Sequence, residues 1–68
     1  MKQLDARGLS CPEPVLLIRQ AMQSGAACYE MVVDNHAARE NVTRYAEHQG
    51  YAVTVRQEGS DYTLTMSR

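Results

Sequence analysis

The chain has 68 residues, 44% hydrophobic and 22% charged, with seven Lys and Arg set against eight Asp and Glu for a formal net charge of −1. That length holds one small domain, 1–68, and apolar runs no longer than the four residues of Val15 to Ile18 exclude a membrane-spanning helix and a signal-peptide core. The lack of either leads to the expectation of a cytoplasmic protein, and the near balance of scattered charges, with no Trp or Phe, argues against nucleic-acid binding as the main task.

Lys2 to Ala6 forms a brief candidate strand, with Leu4 and Ala6 on one face. After Gly8, Cys11-Pro12-Glu13-Pro14 opens a first helix, because proline is tolerated where backbone N–H groups have no partner inside the helix. Val15, Ile18 and Met22, flanked by Pro14, Leu17 and Ala21, make its apolar stripe; Leu16 falls off the stripe and is expected half exposed. Gly25 is placed to stop it.

Cys28 to Val33 alternates as a strand. Asp34 and Asn35 then offer side-chain oxygens to cap a second helix, in which Ala38, Val42, Tyr45 and Ala46 share a face until Gly50. Two further alternating stretches, Tyr51 to Arg56 and Tyr62 to Ser67, flank Glu58-Gly59-Ser60-Asp61 and read as a hairpin. The order β-α-β-α-β-β, with each strand apolar on one face only, predicts an α/β (α+β) two-layer sandwich. In it a four-stranded mixed sheet carries both helices on one face, and Glu30, Thr54, Arg56, Thr63 and Thr65 lie on the wet face. The strands joined by the first helix should run parallel, and the last two antiparallel.

In that topology both helix N-termini lie at the carboxyl ends of the parallel strands, so Cys11 is expected to share a rim with Asp34, Asn35 and His36. Cys28, expected as a half-buried packing residue, belongs to the opposite rim. A first helix of about 13 residues would part the thiols by roughly 20 Å, too far for a disulfide. As helix N-cap, Cys11 would feel the positive end of the helix dipole, which favours a thiolate. With two donors removed by Pro12 and Pro14, the Glu13 N–H is the expected local donor to the sulfur, while the Glu13 charge opposes the thiolate. His36, on the same rim, is a candidate donor to the Cys11 sulfur or guide for a partner, but it reads first, like His48, as a surface residue; Arg7 and Arg19 are candidates to favour an acidic partner surface or the thiolate, but read first as solvated. No Cys-x-x-Cys, zinc spacing or Gly-rich phosphate loop is present, so neither cofactor nor metal is expected. A lone reactive thiol suits a carrier that depends on partner proteins.

The stretch Leu4-Asp5-Ala6-Arg7-Gly8-Leu9-Ser10-Cys11-Pro12-Glu13-Pro14 resembles the signature of the TusA/SirA/YedF-like sulfur-carrier family, marked by Cys-Pro-x-Pro after a short strand. The segment from Val33-Asp34-Asn35 to Gly50-Tyr51 is similar to the YedF branch. The resemblance implies a carrier, sulfurtransferase-like rather than a turnover enzyme, that takes sulfane sulfur, or selenium, as a persulfide on Cys11 from a cysteine desulfurase. It would pass that atom to an acceptor protein in pathways such as tRNA thiolation, with Pro12 and Pro14 as the flanking prolines. The alternative is a regulatory or adaptor module binding protein or RNA, with Cys11 structural or redox-sensing.

Overall fold

A computed structural model describes residues 2–10 and 12–68. Its elements are β1 (Lys2–Asp5), α1 (Glu13–Met22), β2 (Cys28–Val33), α2 (His36–His48), β3 (Ala52–Glu58) and β4 (Asp61–Ser67). The sheet has four strands in the order β1-β2-β4-β3. β1 runs parallel to β2, and β4 lies antiparallel to both β2 and β3. The mixed sheet and the element order agree with the sequence reading.

The alternation of the strands decides where the core sits. Tyr29, Met31 and Val33 of β2 and Leu64 and Met66 of β4 are fully buried, and the stripes of both helices meet them through Ile18, Ala38, Val42 and Ala46. Both helices therefore cover the same sheet face. Leu16 is half exposed at 50%, as its position off the stripe predicts.

Two local expectations require correction. α1 has 10 residues and begins at Glu13, with Pro12 as its N-cap, instead of running about 13 residues from Cys11. Pro12 has ψ 16°, outside the helical range, and its carbonyl accepts the first helical bond, from the Leu16 N–H at 3.1 Å. Thr63, expected on the wet face, is only 9% exposed. It sits on an interior strand, between its register partners Val32 of β2 and Arg56 of β3.

The end of α1 is pinned from below. The Tyr29 hydroxyl donates to the Ala21 carbonyl at 3.1 Å and accepts from the Ala26 N–H at 3.1 Å. The Tyr29 ring also meets Tyr51 edge-on, with centroids 5.8 Å apart. Cys28 lies at this end of the molecule as a half-buried free thiol, matching its reading as a packing residue.

Candidate functional site

The rim at the carboxyl ends of β1 and β2 holds the loop that leads into α1. The expected carrier thiol, Cys11, lies outside the described residues, and so does its separation from Cys28; the N-cap position expected of it is held by Pro12, which corrects that reading. Its neighbours Ser10, Pro12 and Glu13 are exposed, whereas Pro14 is buried against the core. The Glu13 N–H donates to the Ser10 carbonyl at 2.8 Å, so this donor is already engaged and is not the free sulfur donor that the sequence suggested. Ser10 Oγ donates to Glu13 Oε1 at 3.5 Å, a long bond on an exposed surface.

Upstream, the loop is held from three sides by carboxylates. Asp5, at the end of β1, accepts the Arg7 N–H at 3.0 Å and receives Arg7 Nε and Nη2 at 3.0 and 2.9 Å. Arg7 Nη1 also reaches Asp61, at the start of β4, at 3.6 Å. Arg7 is thus committed within the chain, which corrects its reading as a merely solvated cation. The paired guanidinium lowers the Asp5 carboxyl from 3.8 to about 2, chiefly through the side-chain hydrogen bond. The third carboxylate, Asp34, follows β2, and its Oδ2 accepts the Gly8 N–H at 2.8 Å. Gly8 has φ +79°, in the left-handed region open to glycine, and its N–H is the donor to Asp34.

Asp34 and Asn35 divide the capping work that the sequence assigned to both. Asn35 Oδ1 accepts the Ala38 N–H at 2.8 Å and caps α2, while Asn35 Nδ2 donates to Asp34 Oδ1 at 3.1 Å. Hydrogen bonds therefore run from Gly8 through Asp34 and Asn35 to the first turn of α2. The Gly8 N–H bond, then the Asn35 amide, holds the Asp34 carboxyl below its ordinary 3.8. His36, the third expected rim residue, turns to its own helix. Its Nδ1 lies 2.9 Å from Arg39 Nη2, and because a guanidinium carries only donors this nitrogen is the acceptor. Its Nε2 lies 3.5 Å from Glu40 Oε1. The rim thus joins Asp34 and Asn35 to the motif loop, while the polar contacts of His36 are with Arg39 and Glu40.

Sequence reasoning missed the roles of Asp5, Arg7, Gly8 and Asp61. Asp5 and Arg7 carry a local signal, an acid two residues before a base, whereas Asp61 and Gly8 meet their partners only through the closed sheet. Beside the motif, Leu9, Glu13, Leu16, Leu17 and Gln20 line a shallow recess of about 240 Å³. Another recess, of about 260 Å³, is lined by Gln3, Leu4, Asp5, Glu30, Val32 and Thr63. Among the described residues no group of three or more His, Cys, Asp or Glu is placed to hold a metal ion, and no helix is long and apolar enough to cross a membrane.

The family model described as sulfurtransferase TusA matches residues 2–68. A Methanocaldococcus jannaschii protein named as a candidate sulfur carrier is 40% identical over 60 residues, covering 85% of this chain and 80% of that one. The sulfur carrier protein TusA of Pseudomonas putida is 30% identical over 57 residues, covering 81% of this chain and 71% of its own. The crystal structure of a SirA-like protein from Desulfitobacterium hafniense superposes with a TM-score of 0.89 at 30% identity, over 98% of this chain and 96% of that one.

Proposed function

Because this chain belongs to the TusA sulfurtransferase family, we propose that it is a sulfur carrier whose Cys11 holds the transferred atom as a persulfide. The donor in this reading is the persulfide of a cysteine desulfurase. The Cys11 thiolate attacks its outer sulfur, the S–S bond of the donor breaks, and the desulfurase cysteine leaves as a thiolate. The outer sulfur is then carried as Cys11–S–S⁻. Attack on that sulfur by a thiolate of an acceptor protein forms a new persulfide and returns Cys11 to its thiolate. Sulfur oxidation states and charge balance in both steps, and neither a metal nor an organic cofactor is consumed.

The observation that carries this reading is the exposure of Ser10, Pro12 and Glu13 around position 11, at the start of α1 and beside a shallow recess. A carrier must offer one atom to two proteins in turn, which suits an open rim better than an enclosed pocket. Pro12 and Pro14 support it by fixing φ at either side of Glu13, so the segment entering α1 has few conformations. We place Asp34 and Asn35 beside the motif as supports, with His36 as an outer rim residue.

The test is incubation with a cysteine desulfurase and cysteine, followed by intact mass. A gain of one sulfur atom that is retained in Cys28→Ser and absent in Cys11→Ser is the expected result. No gain across several desulfurases overturns the carrier reading and favours an adaptor that binds protein or RNA. Replacing cysteine by selenocysteine as the substrate of the desulfurase, so that the donor carries a selenium atom at the same oxidation level as its persulfide sulfur, separates a sulfur carrier from a selenium carrier by the mass of the added atom.

A further inference from the structure

We infer that Asp34 is a positioning residue for the carrier thiol: its carboxylate, by holding the Gly8 N–H, anchors the start of the loop that leads from β1 toward position 11. The inference rests on the carrier reading and deepens it. Three observations converge on this carboxylate, and a fourth concerns the residue beside the one it holds. It spans from the end of β2 to a loop 26 residues away in sequence, with a bond of 2.8 Å. The residue it holds has a left-handed backbone, so the anchored position is one that glycine alone adopts without strain. The other oxygen is tied at 3.1 Å to Asn35, which caps α2, so the carboxylate is fixed from behind. On the far side of the loop, Arg7 is gripped by Asp5 and Asp61, which holds the residue before Gly8 independently.

A group that positions a reacting segment acts on docked transfer more than on the intrinsic nucleophilicity of the thiol, because transfer between two proteins needs alignment within a fraction of an ångström. Asp34 is negative and held in its ionised form, so it does not serve to stabilise a thiolate by charge. Alignment is the contribution left to it.

The experiment is single-turnover transfer of labelled sulfur from a persulfide-loaded cysteine desulfurase to the wild-type chain, Asp34→Ala, Asp34→Asn and Asp34→Glu. Alkylation of Cys11 by iodoacetamide, a small reagent that needs no docking, is measured in parallel. Asp34→Ala should slow transfer about tenfold to a hundredfold while leaving alkylation little changed. Asp34→Asn, which keeps an oxygen for Gly8, should recover most of the rate. Asp34→Glu, with the carboxylate displaced by one methylene, should be slow, and it provides the comparison if the alanine variant does not fold. Tyr29→Phe, on the opposite rim, should lower the melting temperature without slowing transfer. Wild-type transfer rates in both Asp34→Ala and Asp34→Glu, or equal slowing of alkylation and transfer, overturn the inference alone. A wild-type chain that accepts no sulfur overturns the carrier reading, and this inference falls with it.

Discussion

The side chain of Arg7 is half exposed, yet its bidentate grip on Asp5 has ideal fork geometry and a second carboxylate close by, which sets it apart from an ordinary surface pair. Its consequence is a titration. Because the folded carboxyl of Asp5 is lowered from 3.8 to about 2, its contribution is present above pH 4 and is lost as the pH falls toward 2. Carboxyl-carbon NMR should place the Asp5 midpoint near 2, and Arg7→Gln should return it toward 3.8; an Asp5 midpoint already at 3.8 in the wild type would exclude the pairing. The same carboxylates show where sequence reading stops. Asn35 is legible as a cap because an N-cap and its acceptor N–H lie three residues apart. Asp34 reads equally well as a cap, and only the parallel β1–β2 pairing reveals that it holds Gly8 instead. Likewise, the engagement of the Glu13 N–H depends on a turn geometry that two prolines in a sequence do not specify.

Among the elements, α2 has the better-defined start. Asn35 caps it with its side chain, while Pro12 opens α1 with no side-chain cap, so α1 depends on its packing and on the Tyr29 pin. Asn35→Ala should cost about 1 kcal/mol by denaturant unfolding. Tyr29→Phe should cost about 1–3 kcal/mol, because the Ala26 N–H and the Ala21 carbonyl both lose the hydroxyl in a partly buried setting. A change within error for Tyr29→Phe would mean that solvent replaces the hydroxyl and that α1 is not held from below. The strands and helices were legible because their periods are clean, in Tyr29, Met31 and Val33 as in Ala38, Val42 and Ala46. The burial of Thr63 was not, since alternation assigns a face but does not reveal how thickly neighbouring side chains cover it.

For the molecule as a whole, size sets the margins. A core in a chain this short rarely contributes more than roughly 3–5 kcal/mol net. Leu64, fully buried on β4, has neighbours in both adjacent strands, Met31 and Val55. Leu64→Ala is therefore expected to cost about 2–5 kcal/mol and leave much of the chain unfolded at 37 °C, measured by circular dichroism. Native-state hydrogen exchange should be slowest in β2 and β4 and faster in β1 and β3, which are paired on one side only. Slowest exchange in β1 would contradict this order.

The position of β4 governs how the molecule comes into being. It is the fourth strand in chain order but lies between β2 and β3, so those two strands share no neighbour until it has been made. A ribosome delivers the chain from its amino end, and the sheet cannot close around a nascent segment that stops short of residue 61. Throughout that interval the core-facing side chains Tyr29, Met31 and Val33 of β2 are without their β4 partners. A pause in translation before β4 therefore leaves one apolar face of β2 uncovered, and completion of the β3–β4 hairpin closes it.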